Sequence, residues 1–181
     1  QISEINELKD STEKLEVKAD LVQISDLKSE LEEKAKRLNE LENNYQIKEI
    51  KKIGIGESNL FRRLKILIED EDFGKVFQIE NFKNLDTSII EINHCYVKGT
   101  NDLGRIFYPR ANIEEFIFKS KEDAIGVFNR LKEIKSNARY WIYIDKAPNS
   151  LFIEENKIYF ISTGGHYMLD IYERIEAKMK G

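Results

Sequence analysis

Glu115-Phe116-Ile117-Phe118-Lys119-Ser120-Lys121-Glu122-Asp123 contains the change of period that decides the fold class. Glu115 to Lys119 is rich in aromatic and β-branched residues and reads as a strand. Ser120 stands three residues before Asp123, the spacing of a capping box, in which a hydroxyl and an acid satisfy the free amides of a helix start. Beyond it, Ala124, Val127, Phe128, Leu131 and Ile134 recur at three- and four-residue steps, which puts them on one helix face. A strand therefore runs straight into an amphipathic helix, and each needs the other to bury its apolar side.

On the C-terminal side, Tyr140 to Asp145, Leu151 to Glu154 and Lys157 to Ser162 read as further strands, the last two joined by a tight turn at Glu155-Asn156. Thr163-Gly164-Gly165 then leads into a final helix with Met168, Ile171, Tyr172, Ile175 and Met179 on its core face. On the N-terminal side, Ser58 can cap a helix carrying Leu60, Phe61, Leu64, Leu67 and Ile68 on one face, and Lys75 to Glu80, Ser88 to Lys98 and Arg105 to Tyr108 read as strands. Groups of consecutive strands separated by single helices predict an α+β head over residues 58–181, mainly an antiparallel sheet with helices on one face.

The chain before Gly54 contains neither glycine nor proline. Ile24, Leu27, Leu31, Leu38, Leu41 and Tyr45 form one a/d stripe among charged and amide side chains, which predicts a long α-helical coiled coil over residues 1–53. So thin an apolar stripe needs a partner helix, so the expected state is a homo-oligomer, a dimer first and a trimer second. A helical hairpin broken between Asp20 and Ser25 is the alternative. Gly54-Ile55-Gly56-Glu57 is expected to be the linker to the head, since paired glycines end a helix. The first residue is Gln1 rather than methionine, as expected of a fragment or a processed product.

Charge divides at the same place. Residues 1–57 hold 10 Lys and Arg against 14 Asp and Glu, whereas residues 58–181 hold 19 of each, so the net −4 belongs to the N-terminal segment. A balanced head argues against bulk electrostatic binding to nucleic acid or to an anionic membrane. No apolar run reaches the roughly 20 residues of a membrane span. The single cysteine, Cys95, rules out an intrachain disulfide and favours a reducing, cytoplasmic setting.

Several patterns could carry chemistry. Asp145 with Glu155 and Lys157 mimics the spacing in which two carboxylates hold a divalent metal for phosphodiester cleavage, but Asn156 between the last two is a turn former. Glu69-Asp70-Glu71-Asp72 is acidic but lacks the glycine and glutamate of a calcium loop. His94 and Cys95 are neighbours and would point to opposite faces of a strand, so they cannot share a metal. Arg62, Arg63, Arg130 and Arg139, near Tyr140 and Trp141, could bind a single-stranded nucleic acid by charge and stacking. Thr163, Gly164, Gly165 and His166 could present free backbone amides to an anion or an acidic partner. No cofactor is expected. These readings converge on a non-enzymatic interaction protein, a coil setting oligomeric state and an α+β head binding a protein partner, with nucleic-acid association and metal-dependent nuclease activity as alternatives.

Overall fold

The alternating runs pair into one five-stranded sheet. The computed structural model describes residues 45–100, 108–165 and 171–180. Within them β1 (Tyr45–Lys52), β2 (Ile89–Gly99), β3 (Arg110–Phe118), β4 (Asn149–Glu154) and β5 (Lys157–Thr163) stand in the order β1-β2-β3-β5-β4. Every pairing is antiparallel. The helices are α1 (Asn59–Ile68), α2 (Glu71–Val76), α3 (Lys121–Lys135), α4 (Ala138–Ile144) and α5 (Ile171–Lys180), with a short 3-10 turn at Ile79–Asn81. The α+β class is as expected.

The helices cover both faces of the sheet, not one. Ile92, Phe116, Phe118, Ile158 and Phe160 pack against α1 to α4, while Cys95, Val97, Ile113, Tyr159 and Ile161 form a second core with Ile171, Ile175 and Met179 of α5. The central strand β3 accounts for this, because seven of its last eight residues are buried whichever way they point.

Three expected elements are corrected. Tyr45 to Lys52 is strand β1 and not the end of a coil, so the sheet begins before the glycines. Ile47 and Ile50 are spaced like a helix seam, but a bulge at Lys48 advances the register, so that Ile47 pairs Val97 and Glu49 pairs Tyr96. The bulge resets the alternation and places both isoleucines against the α5-side core. Gly54-Ile55-Gly56-Glu57 is accordingly the turn from β1 into α1, closed by the Glu57 amide on the Gly54 carbonyl at 3.0 Å and by the Gly54 amide on Glu57 Oε2 at 2.9 Å.

Lys75 to Glu80 falls on the end of α2 and the 3-10 turn. The acidic run before it is a helix cap, Asp70 Oδ1 accepting from the Asp72 and Phe73 amides at 2.8 and 3.2 Å. Tyr140 to Asp145 is helix α4 and not a strand. Tyr140, Trp141 and Ile144 are its buried residues, a helical spacing, and the Tyr140 ring lies 5.5 and 5.4 Å from Phe73 and Phe77. Tertiary packing on one face overrides the strand preference of an aromatic and β-branched run. The expected strand at Arg105 to Tyr108 lies almost wholly outside the described residues. The capping box at α3 is as expected, Ser120 Oγ accepting from the Asp123 amide at 3.1 Å and donating to its carboxylate at 2.8 Å.

Neighbouring glutamates in β3 are buried on opposite faces. Glu114 is 1% exposed and meets the start of α1, where Ser58 Oγ, the Asn59 amide and the Leu60 amide donate to it at 2.9, 2.7 and 3.3 Å. Glu115 accepts from Tyr159 Oη at 2.8 Å and Asn93 Nδ2 at 3.0 Å, with Lys157 Nζ at 3.3 Å. Each carboxylate thus has donors that replace water.

Glu114→Ala should lower the unfolding free energy by about 3 kcal/mol, because it strands buried donors as well as deleting their acceptor. Urea denaturation followed by circular dichroism measures this. A shift within the noise of a surface substitution would contradict the role given to Glu114.

Candidate functional site

Among the described residues β4 is hydrogen-bonded only to β5, so within them its other side is an open sheet edge. The hairpin that holds it is tightly fixed. Glu155 takes a φ of 52° in the turn, and Asn156 clamps the end of β3 through its side-chain amide on the Phe118 carbonyl at 2.9 Å and its own carbonyl on the Phe118 amide at 3.0 Å. At the other end the Pro148 carbonyl accepts from the Thr163 amide at 3.2 Å and from its hydroxyl at 2.8 Å. Bonded and non-bonded pairs alternate along an antiparallel ladder. Since Pro148 and Thr163 are a bonded pair, Ser150 and Phe152 turn their main-chain groups to β5. Asn149, Leu151 and Ile153 turn theirs to the open edge. The Asn149 carbonyl is taken by Lys135 Nζ at 3.3 Å.

Helices flank this edge on both faces and enclose a groove of about 460 Å³. From α3 come Phe128, Lys132 and Lys135; from α5 come Glu176 and Lys180. Leu151, Phe152 and Ile153 form its floor. The lysines lie along aromatic rings, Lys132 Nζ 5.7 Å from the centroid of Phe128, Lys180 Nζ 4.9 Å from Phe152 and Lys135 Nζ 5.1 Å from Trp141. Their stems cover apolar surface while their ammonium groups rim the opening.

Burial lowers the Lys135 ammonium below its ordinary value, against the opposing pull of Glu176 and Asp145. Burial also works against the charge on Glu176, but the bonds from Lys180 and Ser150 outweigh it and hold that carboxyl below its ordinary range. Glu176 is thus engaged by groups of the protein itself. The groove keeps a cationic excess beside two residues with outward main-chain donors and acceptors.

The other candidate residues fall elsewhere. Asp145 and Glu155 lie at opposite ends of the six-residue strand β4, which at roughly 3.3 Å per residue spans about 20 Å. Lys157 is turned to Glu115. The nuclease arrangement is therefore not assembled, and Glu155-Asn156 is the hairpin turn. Asp145 accepts from the Ala147 amide at 2.9 Å, and burial raises its carboxyl above the ordinary value. Among the described residues no group of three His, Cys, Asp or Glu side chains is placed to hold a metal ion.

Arg62, Arg63, Arg130 and Arg139 are spread over α1, α3 and α4. Arg63 donates to the Ile144 carbonyl at 2.8 Å, Arg130 pairs with Glu133 at 3.2 Å, and Arg62 reaches Asn59 Oδ1 at 3.4 Å. Arg139 lies over the Tyr140 ring at 5.5 Å. Tyr140 and Trp141, the rings expected to stack on bases, are buried in the core.

Thr163 is buried and spends its hydroxyl on Pro148. The Arg110 guanidinium lies against Gly164, where a Cβ would require that flexible side chain to shift; Gly165 follows, and His166 lies outside the described residues. Ile24, Leu27, Leu31, Leu38 and Leu41 also lie outside them. Tyr45 belongs to β1.

Sequence reasoning missed Glu114, Glu115, Ser150, Glu176 and Lys180. The adjacent acids in a strand otherwise rich in phenylalanine and isoleucine were a usable signal, since charge at a core position demands partners. Nothing local marks Glu176 and Lys180, which acquire meaning only when α5 packs beside β4.

The Cys95 thiol is 2% exposed, and burial pushes its pKa up to about 12. It should resist a disulfide reagent at pH 8 in the native protein and react fully after urea is added. Rapid labelling of the native thiol, read by absorbance, would contradict this packing.

No protein-family model, curated protein or solved structure matches the chain.

Proposed function

We propose that this is a non-enzymatic interaction protein whose head binds a protein partner at the groove along β4, in copies brought together by its N-terminal segment. The open edge of β4 carries the reading. The outward main-chain groups of Leu151 and Ile153 lie between two helices, on an apolar floor that a segment of another protein can cover. Addition of a strand to an exposed edge is a recurrent way of recognising peptides, with main-chain bonds supplying affinity and flanking side chains supplying selectivity.

The reactive candidates are engaged otherwise. Cys95 is a buried thiol, Asp145 and Glu155 are far apart, and Glu114 and Glu115 are consumed in joining elements of the fold.

The N-terminal segment supports the second half of the proposal through its sequence. Ile24, Leu27, Leu31, Leu38 and Leu41 retain an a/d stripe once Tyr45 is assigned to the sheet. A dimer places two grooves on one assembly, and a second weak contact then becomes effectively intramolecular.

Selection of a displayed library of unconstrained twelve-residue peptides against the full chain tests the groove. Enriched peptides should lose about tenfold or more in affinity on Ile153→Pro. That substitution removes an amide facing the open edge without taking a bond from the β4–β5 ladder. Failure to enrich any sequence, or peptides indifferent to that substitution, would count against the groove.

Light scattering tests assembly separately. The full chain should be a dimer at tens of micromolar, roughly where a weak coil pairs, and Leu31→Asp with Leu38→Asp should make it monomeric. A chain beginning at Tyr45 should be a folded monomer, whereas one beginning at Gly54 should lose stability together with β1. A monomeric full chain would overturn the coil.

A further inference from the structure

We propose that the occupant of the β4 groove is an extended, acidic segment of a partner protein, added to the sheet as a sixth strand. The inference rests on the protein-binding reading of the groove and specifies the chemistry of its partner.

The main-chain register dictates an extended backbone. Leu151 and Ile153 are two residues apart and offer donors and acceptors along one line, which a strand matches and a helix, with its main-chain groups bonded internally, does not. The walls select the side chains. Successive residues of an added strand point alternately to the α3 side and to the α5 side. One side meets Phe128 and Lys132; the other meets Phe152 and Lys180.

A cation therefore stands beside apolar surface on each wall, while Lys135 closes the Asn149 end by holding that residue's carbonyl and its Oδ1, the latter at 2.9 Å. The one acid of the lining, Glu176, is bonded to Ser150 and Lys180. With Lys180 already paired to Glu176, the net positive charge of the lining rests on Lys132 and Lys135, and it favours a negatively charged strand. It disfavours a basic one, because like charges so placed repel without water to screen them fully. The partly desolvated state of Lys135 points the same way, since a nearby carboxylate restores what burial takes from the ammonium. Lysines beside an open edge also deter indiscriminate strand pairing. The same charges that exclude most edges admit an acidic one.

The test uses the full chain and three synthetic octapeptides in which valine alternates with glutamate, glutamine or lysine, with affinities read by fluorescence anisotropy. The glutamate peptide should bind about tenfold tighter than the glutamine peptide at low salt, the size expected when a few partly exposed charge pairs add, and the gap should shrink at high salt. The double variant Lys132→Glu with Lys180→Glu, its fold checked by circular dichroism, should prefer the lysine peptide.

Equal binding of glutamate and glutamine peptides, indifferent to the double variant but lost in Ile153→Pro, would overturn the acidic partner while leaving the strand-binding groove in place. No binding of any peptide, or binding that survives Ile153→Pro, would overturn both.

Discussion

The Glu114 carboxylate ties the helical layer to the sheet, and the positions of the other elements on that face follow from it. It rises from the central strand β3 and takes the Ser58 hydroxyl and the first amides of α1, groups that a helix start leaves without internal partners. With α1 anchored, Phe61 lies edge-on to Phe116 at 5.0 Å, and Arg63 reaches the last carbonyl of α4. From α4, Tyr140 enters the cluster of Phe73 and Phe77 and donates through its hydroxyl to the Asp72 carbonyl at 2.8 Å, which fixes α2. One buried acid thus begins a sequence of contacts through three helices. A hydrophobic residue of similar size at 114 could fill the volume but could not satisfy those amides.

The legible parts of the sequence were those with a single consistent period. The β3–α3 junction, the capping box at Ser120 and the β4–β5 hairpin were all read correctly because strand alternation, helix spacing and turn chemistry agreed there. The misreadings came where two periods coincide. Ile47 and Ile50 are three apart, which is a helix seam in a straight reading and a strand face once Lys48 is bulged out, and no sequence rule announces a bulge beforehand. Tyr140-Trp141-Ile142-Tyr143-Ile144 has strand composition, but the fold buries positions one and four steps from Tyr140 and leaves Ile142 and Tyr143 exposed. Propensity describes residues one at a time; burial of one face is decided by the neighbours.

The candidate site was less legible than the fold because it is made of residues that look ordinary where they stand. Lys132 and Lys135 read as cations complementing the end of α3, and Lys180 as one more lysine near the end of the chain. Their common surroundings arise because β5 pairs both β3 and β4, leaving β4 outermost, while α3 and α5 cover opposite faces of the sheet. Any short outer strand so bracketed has a groove along its free side. Its character is set by which side chains the two helices turn toward it. Here they are Phe128, Lys132 and Lys135 from one and Glu176 and Lys180 from the other.

The proposed groove and the proposed N-terminal assembly complement each other energetically. Leu151 and Ile153 turn both main-chain groups to the open edge, and Asn149 keeps only its amide for it because Lys135 holds its carbonyl, so an added strand gains few hydrogen bonds, each worth about 1 kcal/mol after exchange with water. A single groove is therefore a weak binding site. Two grooves on one assembly raise the effective concentration of the second contact without any new interaction, provided the partner presents acidic strands at a matching distance. Spacing then becomes as selective as charge. On this reading a protein with one acidic segment is released quickly, whereas one carrying a repeated array is retained, and the thin a/d stripe and the narrow sheet edge act as parts of one discriminating device.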